Sequence, residues 1–317
     1  MSTNLTINWY PGHMHRASKE ITEALPQVNL VIELLDARIP YSSSNPLIQQ
    51  LCADKPQIKL LTKSDLADSQ ITELWQQHFA RQNNMRSMAV DLINADSSSV
   101  IIELINKLYP QSEERNTLAM VTGIPNVGKS TLINSLAGRH IAKTGDEPAV
   151  TKGQQRINLR NGIMLLDTPG ILWPKIENPN SSYRLATTGA IKDTAINYAD
   201  LAFFAVDFFL KHYPDRLQQR YNLQQLPATE LEFLEIIGLQ RGCLRAGNQV
   251  DLERISTVFI NELRGGTLGP VSFETPEVIA GEMELVAQLR AEKAAREKLR
   301  AEKNAARRKR ARANRKK

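Results

Sequence analysis

Apolar runs recur through the first 170 residues, and polar turns and helical spacing separate them. Val28–Asp36 is almost continuously apolar, the pattern of a central parallel strand covered on both faces. Ile58–Leu61, Ser87–Val90 and Leu118–Thr122 read as further strands. Between them, helices are predicted from about His13 to Ala24, Leu47 to Cys52, Asp68 to Gln82 and Ser98 to Leu108, and another opens at Leu132. Arg156–Leu159 and Ile163–Leu166 flank Asn161-Gly162 and predict a β-hairpin. Strands alternating with helices predict a doubly wound α/β domain over residues 1–177. Beyond Asn178-Pro179-Asn180 the strand signal stops. Helical spacing near Tyr183–Lys192, Ala199–His212, Thr229–Gly238 and Asp251–Arg264 predicts a small all-helical domain over 178–275. Residues 276–317 are rich in Ala, Glu, Lys and Arg, with no apolar stripe after Leu299, and predict a tail that is nascent helix at most when free.

Composition changes this picture mainly at the tail. The chain has 317 residues, enough for two cores, and its 42% hydrophobic and 23% charged content is ordinary for a globular protein. No apolar run approaches the roughly 18 residues of a membrane span. The first eight residues lack a basic segment followed by an apolar one, so no signal peptide is expected, and a cytoplasmic location and no membrane partner are. Cys52 and Cys243 lack metal-ligand spacing and read as buried free thiols. Of the net charge of +6, the stretch Leu285–Lys317 contributes 14 Lys or Arg against 3 Glu, which leaves the rest of the chain acidic. A cationic tail of this kind points to a polyanion, and it lacks the interleaved aromatics that stack on bases.

The chemistry centres on Gly123–Thr131, which fits the P-loop pattern G-x-x-x-x-G-K-[ST] between an apolar strand and a helix. Backbone N–H groups of such a loop wrap a phosphate at a helix N-terminus. Asn126, Val127, Gly128, Lys129, Ser130 and Thr131 are the expected phosphate contacts, with Lys129 neutralising the outer phosphates and Ser130 ligating Mg²⁺. Asp167-Thr168-Pro169-Gly170 follows at a strand end, where Asp167 is expected to hold Mg²⁺ and the Gly170 N–H to meet the γ-phosphate. Thr151, in the polar loop between, is expected to complete the metal shell and so to serve catalysis beside Lys129.

Thr62-Lys63-Ser64-Asp65 resembles the [NT]-K-x-D element that selects guanine. Asp65 accepts from two donors on guanine's edge, a pair adenine lacks, and Lys63 lays its stem over the base. Thr62 stands where Asn is commoner. Ala89, with Asp91 just beyond it, is placed beside the base oxygen.

The guanine element precedes the P-loop here, the reverse of ordinary small GTPases. In this order, and in Trp9–Met14, Asp36–Pro40, Asp167–Pro174, Thr188–Asp193 and Arg241–Leu244, the chain resembles the circularly permuted GTPases, specifically the ribosome biogenesis GTPase A (YlqF) family. The resemblance extends to about Pro276. It implies a protein, expected to be a monomer, that hydrolyses GTP, binds the precursor of the large ribosomal subunit (rRNA and ribosomal proteins) late in assembly, and is switched on by it. It also implies a helical domain similar to RNA-binding modules, His13 as catalytic histidine, and K⁺-assisted hydrolysis involving Asn126. Ile171 replaces the glutamine that orients water in many GTPases, which predicts slow intrinsic turnover. The alternative is an RNA-binding placeholder for which GTP is mainly a conformational ligand. A nucleotide kinase would need a lid and an acceptor pocket that the sequence does not display.

Overall fold

The computed structural model describes residues 9–92, 97–110, 116–141 and 154–314, with the side chains of 305–314 excepted. Six strands build one sheet: β1 (Leu30–Asp36), β2 (Gln57–Thr62), β3 (Met85–Val90), β4 (Thr117–Gly123), β5 (Gln155–Asn158) and β6 (Ile163–Asp167). Their spatial order is β3-β2-β1-β4-β6-β5. All neighbours run parallel except the β5–β6 hairpin. β1, β2 and β4 are buried along their whole length, which is why their sequences run apolar without alternation. Among the polar residues they do bury are Glu33 and Lys59, register partners on β1 and β2, which meet as a fully buried ion pair.

Helices α1 (Gly12–Ala24), α2 (Pro40–Ser43), α3 (Pro46–Leu51), α4 (Ser69–Ala80), α5 (Ser97–Leu108) and α6 (Lys129–Ala137) are interspersed with the strands. α7 (Pro179–Thr187), α8 (Tyr198–His212), α9 (Pro214–Tyr221), α10 (Glu230–Gln240) and α11 (Leu252–Arg264) follow without a strand. Four of these begin at a side-chain cap: Asn178, Asn197, Thr229 and Asp251 each accept from backbone N–H groups two or three residues on. The doubly wound sheet and the helical run match the expected fold class.

Details depart from the periodicity. α9 escaped it because Pro214 opens the helix and only Leu217 and Tyr221, one turn apart, are buried. The hairpin takes left-handed backbone at Arg160 (φ 63°) and Gly162 (φ 81°) rather than at Asn161. Asn158 stabilises this turn by accepting from Arg160 N at 2.7 Å. The tail is one continuous helix, α12 (Val278–Asn314), instead of the nascent helix expected. Ala, Glu, Lys and Arg are strong helix formers, and the i,i+4 pairs Glu292–Arg296 and Lys293–Glu297 add support.

The chain divides into two compact units, Met1–Pro276 and Glu277–Lys317. The boundary expected near residue 177 falls inside the first. There the sheet and the helical run share buried polar contacts, centred on Glu274 (2% exposed). Glu274 accepts from Ser42 N (2.8 Å), Ser42 Oγ (2.7 Å) and Arg184 of α7 (3.0 Å). The indole of Trp75 on α4 donates to the Glu274 carbonyl at 3.0 Å. Among the described residues, no helix is long and apolar enough to cross a membrane, and both cysteines are buried free thiols.

Candidate functional site

Parallel strands bring their C-terminal ends to one edge, and the predicted motifs sit there: Thr62 ends β2, Asp36 ends β1, Gly123 ends β4 and Asp167 ends β6. The P-loop leaves β4 and enters α6 through Gly128, whose φ of +97° a side chain would resist. Lys129 is buried, and its Nζ donates to the carbonyls of Ile124 (2.6 Å) and Gly123 (3.2 Å), so the ammonium lies within the curve of the loop. Burial pushes its pKa down to about 8, against the pull of Asp167. Ser130 and Thr131, in the first turn of α6, are half-buried.

Asp167 is 1% exposed, and its Oδ1 has no hydrogen-bond partner among the described residues. Burial raises its pKa to about 6, opposed by Lys129 and by the Thr168 backbone. An orphaned buried carboxylate oxygen facing a P-loop lysine fits a divalent cation. Gly170 passes so close that a Cβ there would lie 2.9 Å from Lys129 Nζ and from Pro125 Cα, and only glycine lets the segment approach the P-loop. Ile171 is fully buried and its carbonyl accepts from Asn45 Nδ2 at 3.3 Å.

At the other end, the Thr62 hydroxyl lies 2.7 Å from Val127 O of the P-loop and 3.1 Å from Leu35 O. Threonine therefore ties Thr62–Asp65 to the phosphate loop from the place where Asn is commoner. Lys63 has left-handed backbone (φ 55°), and its Nζ donates to Asp36 Oδ2 at 3.1 Å. Ser64 and Asp65 begin a 3-10 turn, with Asp65 exposed. Ala89 pairs with Leu61 in β3, and the Asp91 carbonyl just beyond accepts from Ser97 Oγ at 3.0 Å.

Three expected residues remain: His13, Asn126 and Thr151. His13 occupies the first turn of α1, half-buried, and its Nε2 is buried without a hydrogen-bond partner among the described residues. The next residue, Met14, contacts the segment after Gly170, its Sδ 3.5 Å from Leu172 N. Asn126 takes a left-handed conformation and its amide donates to Gly189 O at 2.9 Å, joining the P-loop to the turn after α7. Thr151 lies outside the described residues. Sequence reasoning quoted Asp36 and Arg38 without a role and passed over Asn45 and Glu274. An acid ending a buried strand two residues before an arginine was the available signal for the first pair.

A P-loop at the edge of a parallel sheet, an acid and a glycine at the end of the next strand, and a guanine element upstream define a circularly permuted P-loop GTPase. The family model described as "50S ribosome-binding GTPase" matches residues 118–237, which begin at the P-loop strand and leave Thr62–Asp65 ahead of it. "Ribosome biogenesis GTPase A" of Bacillus cereus is 44% identical over 293 residues, 90% of this chain and 99% of that one. Its namesake in Thermotoga maritima is 33% identical, covering 86% and 96%. The solved structure of GNP-bound YlqF from T. maritima superposes with a TM-score of 0.59 at 29% identity, over 83% of this chain and 99% of that one. The GDP-bound form gives 0.60 over 81% and 99%. This chain belongs to the ribosome biogenesis GTPase A family. It is an enzyme that binds GTP and GDP and hydrolyses GTP.

Proposed function

We propose that this GTPase acts late in assembly of the large ribosomal subunit, engaging the precursor in its GTP state and leaving after hydrolysis that the particle stimulates. The observation that carries the reading is the Asn126–Gly189 hydrogen bond. Through it a P-loop side chain holds the entrance of the helical run, so a change at the phosphates reaches the helices expected to meet RNA. The names "Ribosome biogenesis GTPase A" and "50S ribosome-binding GTPase" support the same partner.

In this account the P-loop N–H groups from Asn126 to Thr131 wrap the phosphates, and the Lys129 ammonium exchanges the Ile124 carbonyl for a phosphate oxygen. Asp65 receives guanine's two edge donors, the Ala89 N–H meets the base oxygen beside Asp91, and Lys63 covers the ring. Ser130, Asp167 and Thr151 would hold Mg²⁺, which supplies charge neutralisation at the β- and γ-phosphates when bound. The Gly170 N–H meets the γ-phosphate. Ile171 is apolar and cannot orient water, so His13, in the first turn of α1 and next to Met14, takes that part once the particle fixes its position. Asn126 is also placed to support a K⁺ ion. Replacing potassium by sodium in a turnover assay tests this, and equal rates would remove the ion from the account. The α12 helix adds a salt-dependent RNA contact.

The full burial of Ile171 also favours a second reading, in which hydrolysis is incidental and GTP is a conformational ligand. His13→Ala separates the two. The enzyme reading expects GDP affinity to be kept and particle-stimulated turnover to be lost, whereas the placeholder reading expects neither to change. Pelleting with large subunits tests the partner: retention with a non-hydrolysable GTP analogue and release with GDP is expected, and equal behaviour in both states would refute the cycle.

A further inference from the structure

Lys63 does not reach freely into the nucleotide site. Its backbone is left-handed, a conformation that disfavours non-glycine residues, and its side chain runs back to the end of the neighbouring strand, where Nζ donates to Asp36 Oδ2 at 3.1 Å. Asp36 is the register partner of Thr62 and is 1% exposed. Arg38, equally buried, grips the same carboxylate from the other side, with Nε 2.9 Å from Oδ1 and Nη2 2.7 Å from Oδ2. The Arg38 backbone N–H adds a third bond to Oδ1 at 3.1 Å, and Asp36 N donates to Ser43 Oγ at 3.1 Å. Both carboxylate oxygens of Asp36 are thus held, Oδ1 by Arg38 Nε and N–H and Oδ2 by Arg38 Nη2 and Lys63 Nζ. The Lys63 side chain keeps 27% exposure even with its ammonium tied to Asp36.

We propose that Asp36 is a positioning residue for guanine nucleotides: it fixes the ammonium of Lys63 so that the lysine stem is already laid out as a platform for the purine face, with Arg38 bracing the carboxylate. This rests on the reading of Thr62–Asp65 as the guanine element and deepens it. A free lysine loses rotamer freedom when it packs on a base, and one whose ammonium is already held loses less. The opposing possibility is that Asp36–Arg38 only closes the ends of β1 and β2.

A double-mutant cycle on the full-length protein, read by the affinity for a fluorescent N-methylanthraniloyl-GDP, distinguishes these. Lys63→Met, which keeps most of the stem and removes its anchor, and Asp36→Asn should each weaken binding about tenfold, and the double variant no further than either alone. Additive losses, or wild-type affinity in Asp36→Asn, would overturn the proposal. Wild-type affinity in Lys63→Met would likewise overturn it, since the stem would then serve the purine unanchored, whereas wild-type affinity in Asp65→Asn would instead overturn the guanine reading beneath it. Should the stranded Arg38 charge unfold Asp36→Asn, the Asp36→Asn/Arg38→Met pair is compared with Arg38→Met alone. The same tenfold step is expected there, and its absence counts against the proposal.

Discussion

Two aspartates of equal burial stand at opposite ends of the proposed nucleotide site and behave in opposite ways. At the base end, Asp36 spends its oxygens on Arg38 and Lys63, and these two charges outweigh the effect of burial and hold its carboxyl well below the usual carboxylate range. At the phosphate end, Asp167 keeps a buried oxygen without a partner among the described residues, and burial pushes it up to about 6. The lysines differ likewise. Lys63 has a carboxylate partner, although burial still shifts it downward, whereas Lys129 rests on backbone carbonyls and is driven down to about 8. The base end is therefore finished before ligand arrives, while the phosphate end stores unsatisfied charge for nucleotide and cation to resolve. On the proposed reading, electrostatic tension is kept where chemistry happens, and rigidity where recognition happens.

The strongest way to break this contrast is Lys129→Met. Its turnover with GTP should fall about a thousandfold, yet the ligand-free protein should melt no lower than wild type because a desolvated charge is gone. Asp167→Asn should follow the same pattern more weakly, losing about a hundredfold in turnover and the Mg²⁺ dependence of GTP affinity, with ligand-free stability kept. Marked destabilisation in either would show that the phosphate end is also structural.

The base end should respond to acid. Asp36 has a lowered folded-state pKa, so its contribution to stability is complete above the unfolded value of about 3.9 and is lost as pH falls through the folded value. Urea unfolding between pH 5 and pH 2 should show stability declining below about pH 4, with a shallower decline in Asp36→Asn/Arg38→Met. The smallest effect is expected at the seam between the two ends. Thr62→Val leaves Val127 O without its 2.7 Å donor and should cost about 1 kcal/mol in stability and a few-fold in GDP affinity.

Much of this was legible beforehand. Buried strands announce themselves as apolar runs, and Gly123–Thr131 and Asp167–Gly170 are contiguous motifs whose spacing encodes their geometry. What stayed hidden depends on contacts across the fold. Asp36 reaches Lys63 over 27 residues, Asn126 reaches Gly189 over 63, and Ser42 reaches Glu274 over 232, so no local period records them. The amphipathic pattern of α9 was too short to read, and α12 has helix propensity without the apolar stripe that marks a packed helix.

The most direct test of the central claim is GTP turnover in potassium buffer with and without purified large ribosomal subunits, with ATP as the control. The account predicts slow hydrolysis by the protein alone, strong stimulation by subunits, loss of that stimulation in His13→Ala, and no turnover of ATP. Tight GTP binding with no stimulation would contradict it and leave the placeholder reading in its place.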